Sequence, residues 1–562
     1  MTDLTPSGYQ DSFARDNLPP QELWPTLEFT TELLQYPPRL NAGVELLDIP
    51  TEKYGAERPA LKTPTGETWT YGELRDRTNQ IAHFLTDELG MVTGNRVLLR
   101  SPNNPWTVAA WLAVLKAGGI AVTTMAALRA RELAPIVEKT SPTIALVDQR
   151  FADEVRELQV TTAPDLRLVV YGGDSDDDLI HRIAQLPTEF TAVDTAADDV
   201  ALFGPTSGST GIPKITTHFH RDILSIDNTF GRTTLKLEPD DVVSCTAPFA
   251  FTFGLGMLVV FTLRAGACAL LTEKATPLEL AEIVATQGVT VLATAPTAYK
   301  QILKSGHADQ LRGLRKAVSA GEHIQLETWH EVLDKLGLKI IDGIGATEML
   351  HIFITSAGDE IREGATGKPV PGYRATILDA DGNEVGPGVP GRLGVIGPVG
   401  CRYLADERQR AYVVNGWNLT GDTFSRDEDG YFWYQARTDN MIVSSGYNIG
   451  GPEVEAAIEE HPDVVECAVV AKPDAERGSV VCGFVVLGPG VTGDAAKVKE
   501  LQDFVKQHIA PYKYPREIRF VEALPRNASG KLQHFRLRDI VNAESSGPTA
   551  ETAGSTTTGG TS

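Results

Sequence analysis

Residues 206–214, Thr-Ser-Gly-Ser-Thr-Gly-Ile-Pro-Lys, combine six small Gly, Ser or Thr residues with a closing lysine. Glycines let a backbone approach a ligand closely and reach φ > 0. Small hydroxyls and N–H groups can then bond phosphate oxygens, and a lysine adds a point charge. The spacing is not that of a P-loop, whose second glycine stands five positions after the first with Lys-Ser/Thr straight after. Five positions after Gly208 stands Pro213. The stretch therefore reads as a polyphosphate grip of another kind. It follows a strand-like segment, Val200-Ala201-Leu202-Phe203. Taken alone, an ordinary Gly/Ser surface loop explains it equally well.

Three further segments decide between these readings: Asp342-Gly343-Ile344-Gly345-Ala346-Thr347-Glu348, Thr420-Gly421-Asp422, and Pro525-Arg526-Asn527-Ala528-Ser529-Gly530-Lys531. With residues 206–214 they resemble, in order and spacing, the adenylate-forming superfamily of acyl-CoA ligases, peptide-synthetase adenylation domains and luciferases. The resemblance covers roughly residues 40–540. It implies that a carboxylate attacks the α-phosphate of ATP and expels pyrophosphate, which calls for cationic charge on the phosphates, a fixed ribose and a dry acyl pocket.

By the same resemblance, Thr206, Ser207, Gly208, Ser209, Thr210, Gly211 and Lys214 hold the β- and γ-phosphates. Thr347 touches the α-phosphate and Glu348 holds Mg²⁺. Asp422 and Arg437 bind the ribose hydroxyls. Gly321 and Glu322 match the adenine-side turn, where Ala320 departs from the common Gly-Gly-Glu, and Asp342 opens the next nucleotide segment. Lys531 matches the lysine that bridges the acyl carboxylate and the α-phosphate. A second half-reaction follows in such enzymes: a thiol attacks the acyl-adenylate after the C-terminal domain has rotated about a hinge residue. Asp439 stands at that hinge. Ser445 and Gly446 face the pantetheine of coenzyme A, Ser445 replacing a usual glycine.

The acyl pocket separates subfamilies. Glu348 is followed by Met349-Leu350-His351-Ile352-Phe353, and residues 251–256 read Phe-Thr-Phe-Gly-Leu-Gly. Both stretches resemble benzoate-CoA ligases and their 2-aminobenzoate relatives. That resemblance places His351 and Ile352 in the aryl site with Phe251 as its gate. Thr252 and Phe253 stand where benzoate ligases commonly carry Ala-Tyr, which removes a phenol and adds a hydroxyl. The expected substrate is a benzoate with a hydrogen-bonding substituent, 2-aminobenzoate first.

Composition agrees with a soluble enzyme. Hydrophobic residues make up 42% and charged residues 22% of 562, and the formal net charge is −23. That charge argues against a nucleic-acid surface. Within it, residues 506–538 carry eight Lys/Arg against Glu517 and Glu522, a local excess that suggests polyanion contact. The five cysteines are scattered without a CxxC pair, which reads as reduced thiols in a cytoplasmic setting. Residues 1–20 lack the apolar core of a signal peptide. The longest apolar run, residues 249–263, is too short to span a bilayer and reads as a buried helix. Residues 174–178 form an acidic loop, read as a solvated face.

Strand and helix patterns alternate through residues 96–342, which predicts an α/β fold built on mainly parallel sheet. Strands are expected at residues 96–99, 120–122, 242–245, 267–271, 289–293, 316–319 and 339–342, and helices from Thr70 onward and over 106–115. Residues 365–435 read as a small antiparallel β unit. The division expected is a large N-terminal domain at 1–438, a smaller mobile α+β domain at 439–545, and a disordered Ser/Thr/Gly tail at 546–562. The cofactors implied are ATP, Mg²⁺ and coenzyme A, with an aromatic carboxylic acid as the small-molecule partner. No membrane or nucleic acid is expected, and a homodimer is compatible with the sequence. Transfer to a carrier-protein thiol, a non-catalytic nucleotide-binding role and a luciferase-like oxygenase are the competing readings.

Overall fold

A computed structural model describes residues 4–206, 213–321, 324–437, 441–444, 447–474, 477–509, 513–527, 530 and 532–545. Packing divides the chain into two compact units, Met1–Thr420 with Phe424–Tyr434 and Gly421–Thr423 with Gln435–Ser562.

The larger unit is built on two sheets. The first has six strands in the order Arg167–Tyr171, Ile144–Asp148, Arg96–Arg100, Ile120–Thr124, Val200–Thr206, Lys214–Phe219. All pairings are parallel except the last, where Val200–Thr206 and Lys214–Phe219 run antiparallel. Strands Arg96–Arg100, Ile120–Thr124 and Ile144–Asp148 are buried at every position, as parallel strands covered on both faces must be. The second sheet has nine strands. Its parallel body is Pro59–Lys62, Cys268–Leu270, Val242–Cys245, Val291–Thr294, Lys316–Ala320 and Ile341–Gly345. Antiparallel strands close both edges.

Helix starts follow local chemistry. The Thr70 hydroxyl accepts from the Glu73 N–H while the Glu73 carboxylate accepts from the Thr70 N–H, a capping box that opens helix Tyr71–His83. Asn104 caps helix Pro105–Lys116, with proline at its first position where no N–H partner is needed. The apolar run at 249–263 does form a buried helical stretch, through Thr252–Leu255, Gly256–Val260 and Phe261–Ala265.

Two expectations need correction. The strand expected at 339–342 is Ile341–Gly345, so the glycines of the motif are part of the ladder itself. Within the acidic loop, Asp174, Asp176 and Asp177 are exposed, but Asp178 is fully buried. Its carboxylate accepts from the N–H groups of Gly173 and Ile180, and so starts helix Leu179–Ile183.

The small β unit is present: Arg374–Leu378 pairs antiparallel with Gly391–Ile396, Val413–Val414 with Trp417–Arg426, and Phe432–Arg437 joins the last of these. The second unit is α+β. Val464–Asp474 and Gly478–Leu487 form a long antiparallel pair, and Glu517–Phe520 adds in parallel. Helices Gly451–Glu459, Ala495–His508 and His534–Ser545 complete it.

Candidate active site

Thr206 and Lys214 face each other across the antiparallel pair of the first sheet. Ser207, Gly208, Ser209, Thr210 and Gly211 lie outside the described residues. The Lys214 ammonium donates to the Tyr403 hydroxyl at 2.7 Å and to Glu348 Oε1 at 3.3 Å. It also sits 4.7 Å from the Tyr403 ring centre and 5.7 Å from that of Tyr412. The Tyr403 hydroxyl in turn donates to Glu348 Oε1. Glu348 is buried, in a single 3₁₀ turn, Thr347–Met349, that follows strand Ile341–Gly345. Two residues singled out from sequence, Lys214 and Glu348, thus meet through a third, Tyr403, that no motif had flagged.

The 3₁₀ turn ends on Leu350 with φ +67°, a left-handed conformation that costs a bulky, fully buried residue of order 1–3 kcal/mol. This strained corner turns the chain so that His351 enters an aromatic nest. Its ring lies 5.2 Å from Phe230, 5.5 Å from Phe253 in a stacked arrangement, and 4.6 Å edge-on from Phe261. Only 3% of His351 is exposed, and neither ring nitrogen has a hydrogen-bond partner. Burial pulls its pKa down to about 3; the Phe253 backbone carbonyl pulls the other way but stands outside hydrogen-bonding geometry with either nitrogen, so the imidazole is neutral. Gly256 makes the nest possible: a Cβ there would stand 2.4 Å from His351 Cδ2. Ile352 is buried and packs on Gly343, whose missing Cβ would come within 2.9 Å of it. Phe251 and Thr252 stand partly buried at the start of the same helical stretch, and make no ring contact or hydrogen bond with His351.

At the carboxyl end of the second sheet, Gly321 follows strand Lys316–Ala320 with φ +90°, a turn that requires glycine by conformation, since its Cβ position faces open space. Open α/β sheets bind ligands at this end. Asp342 faces a cavity there with Ile324, Trp329, Ile340, Ser356 and Ile361. The residue is half-buried, but its Oδ1 atom is enclosed without a partner. That desolvation pushes its pKa up to about 7, and Ser319 and the Gly343 N–H offset it only in part. Asp422 is buried in strand Trp417–Arg426, and Arg437 ends the strand paired with it. The Arg437 side chain, Glu322, Asp439, Ser445, Gly446 and Lys531 lie outside the described residues.

The basic run at 506–538 loses most of its excess in space. Lys506 pairs with Asp503, Lys513 with Glu453, Arg519 with Glu517 and Glu544, and Arg526 with Glu466. Counting charges along the chain missed partners that lie up to 60 positions away. Among the described residues, His461, Asp463 and Glu500 are the three that could converge on a metal ion, but the Lys497 ammonium already bonds both carboxylates, at 2.6 and 2.7 Å.

Comparison with known proteins matches this architecture. The benzoate–CoA ligase of Thauera aromatica is 32% identical over 516 residues, covering 91% of this chain and 98% of that one. The 3-hydroxybenzoate–CoA ligase of Aromatoleum sp. (strain CIB) is 30% identical, covering 90% and 97%. Among solved structures, the anthranilate CoA ligase AuaEII in complex with anthranoyl-AMP superposes with a TM-score of 0.86 at 30% identity, over 92% of this chain and 100% of that one. Residues 49–403 match the AMP-binding enzyme model and residues 453–531 its C-terminal domain model. By both modules, and by the sheets that carry Lys214 and Glu348, the chain belongs to the AMP-binding enzyme family.

Proposed function

We propose that this acid–thiol ligase activates a benzoate-type carboxylic acid in two half-reactions. The acid's carboxylate attacks the α-phosphorus of ATP and displaces pyrophosphate, giving an aryl-adenylate. The sulfur of coenzyme A then attacks the adenylate carbonyl; AMP leaves, the thiol proton is released, and the aryl-CoA thioester is the product. The observation that carries the aryl assignment is His351: a neutral, buried imidazole among Phe230, Phe253 and Phe261 with both nitrogens unbonded. Aromatic walls with one polar group suit a flat ring bearing a hydrogen-bonding substituent. A buried polar group left unpaired costs about 1–3 kcal/mol, and a substituent that bonds it recovers that. We therefore rank 2-aminobenzoate first and 2-hydroxybenzoate second. The anthranilate, benzoate and 3-hydroxybenzoate ligases among the relatives support the class.

In this reading the stretch at 206–214 and the Lys214 ammonium bind the β- and γ-phosphates, and Thr347 orients the α-phosphate. Gly321, Glu322 and Asp342 take the adenine; Asp422 and Arg437 fix the ribose. Phe251, Thr252, Phe253, His351 and Ile352 exclude water from the acyl group and hold it. Lys531 neutralises the charge that develops between carboxylate and α-phosphate. Glu348 fits a Mg²⁺ ion as a single carboxylate, since this ion is commonly held by one or two carboxylates together with substrate phosphates. When bound, the ion supplies positive charge to the phosphates. Residues 1–438 form the adenylating domain and residues 439–545 the domain that turns about Asp439 between half-reactions, with Ser445 and Gly446 toward the thiol; residues 546–562, expected as a tail, lie outside the described residues. Among the described residues no helix is long and apolar enough to cross a membrane.

The test is ATP–pyrophosphate exchange, followed by coenzyme A-dependent thioester formation, with 2-aminobenzoate, 2-hydroxybenzoate, benzoate and a medium-chain fatty acid. The expected order of kcat/KM is 2-aminobenzoate, then 2-hydroxybenzoate, then benzoate, with the fatty acid last. A preference for the fatty acid overturns the aryl assignment, and a preference for plain benzoate overturns only the substituent.

A further inference from the structure

We infer that Tyr403 is a positioning residue for adenylation: its hydroxyl ties up one oxygen of Glu348, leaves the other for a divalent cation, and holds the Lys214 ammonium to one long contact, 3.3 Å, with that same tied oxygen. This rests on the roles proposed above for Lys214 and Glu348.

The phenol is held rigidly. Residues 402–404 run along strand Lys214–Phe219, the Leu404 N–H donating to the Ile215 carbonyl at 2.9 Å and the Thr217 N–H to the Arg402 carbonyl at 2.8 Å. The Tyr403 N–H donates to Gln409 Oε1 at 2.9 Å, and the Gln409 amide donates to the carbonyls of Cys401 and Leu23. The side chain is fully buried. Rotation of the ring away from its neighbours would therefore break packing on every side.

The direction of each hydrogen bond follows from the inventory of donors. Lysine has only donors, so its bond to the phenol at 2.7 Å uses the phenol oxygen as acceptor. The single phenol proton then goes to Glu348 Oε1, the acceptor in contact. Oε1 thus accepts from both Tyr403 and Lys214, while among the described residues no hydrogen bond reaches Oε2. A carboxylate so presented offers one oxygen, which suits an ion that demands octahedral geometry and takes few protein ligands. The ring face under the ammonium adds a cation–π hold on Lys214, which retains a third N–H for a phosphate oxygen.

Tyr403→Phe removes one oxygen atom and keeps the ring, so it retains the fold and the cation–π contact. Without the phenol, Lys214 tightens its 3.3 Å contact with Glu348, and the carboxylate, no longer fixed through Oε1, offers both oxygens to the ammonium in competition with metal and phosphate. Two readouts follow. The Mg²⁺ concentration for half-maximal ATP–pyrophosphate exchange should rise about tenfold, and the Mg²⁺-linked gain in ATP affinity measured by calorimetry should shrink by the same factor. Thioester formation from supplied aryl-adenylate should stay within about twofold of wild type. In a Glu348→Gln background, Tyr403→Phe should change ATP affinity by less than about twofold, because it acts through that carboxylate. An unchanged Mg²⁺ requirement in Tyr403→Phe, or equal loss in both half-reactions, overturns the assignment. Glu348→Gln and Lys214→Met serve as references. If neither alters Mg²⁺-linked ATP affinity, the roles of Lys214 and Glu348 fall and this inference with them; if either does and Tyr403→Phe does not, Tyr403 alone is wrong.

Discussion

Replacing Gly256 by alanine sets a small local gain against a large steric cost. Gly256 has helical dihedrals, φ −59° and ψ −54°, so alanine should favour the backbone by about 0.5–1 kcal/mol. Its new Cβ would stand 2.4 Å from His351 Cδ2, 2.7 Å from Nε2 and 3.1 Å from Phe261 Cε2. Carbon atoms pack best at about 3.5–4.0 Å, so the imidazole must retreat by about 1 Å. It has nowhere to go, with Phe230, Phe253 and Phe261 around it and 3% of the residue exposed. Overpacking of this kind costs about 1–3 kcal/mol, leaving a net loss of up to about 2.5 kcal/mol after the backbone gain. Urea unfolding measures the stability, and kcat/KM for 2-aminobenzoate measures the site. The displaced ring should lower kcat/KM by roughly tenfold, since about 1.4 kcal/mol is a factor of ten, while the KM for ATP holds. Adding His351→Ala removes the obstacle, so in that background Gly256→Ala should be neutral or stabilising. The reasoning is refuted if Gly256→Ala costs the same in both backgrounds, or stabilises the protein with His351 in place.

Three further outcomes are expected. Lys531→Ala should abolish pyrophosphate exchange while sparing thioester formation from supplied aryl-adenylate; loss of both alike would remove its special role in the first step. Asp439→Pro fixes φ at the proposed hinge, so pyrophosphate exchange should survive while overall ligation collapses, and normal steady-state ligation would exclude the hinge. Asp342 binds its proton more tightly in the fold than when unfolded, so it contributes stability below about pH 4 that is lost as pH rises toward about 7. Between pH 5 and 7 wild type should therefore lose up to about 2 kcal/mol that Asp342→Asn keeps; parallel stability profiles in urea titrations would show that Asp342 is not raised.

The parts of this protein that the sequence determined are those governed by near neighbours. The capping box of Thr70 and Glu73 joins residues three apart, and the buried strands declare themselves by short apolar centres, Val97-Leu98-Leu99 and Ile120-Ala121-Val122. Four motifs in fixed order identify the family because each is a short stretch with its own local requirement, such as the left-handed Gly421, φ +78°, in Thr420-Gly421-Asp422. What the tertiary structure decided lies across distance. Tyr403 reaches Lys214 over 189 positions and Glu348 over 55, and a tyrosine in Arg402-Tyr403-Leu404 carries no local sign of that role. Phe230 and Phe261 close around His351 only because a strained Leu350 turns the chain into them. The basic run at 506–538 looked free because its carboxylate partners, Glu453, Glu466 and Glu544, sit on other elements. Periodicity and capping are one-dimensional, whereas the pairing of a charge or the burial of an imidazole depends on which surfaces packing brings together.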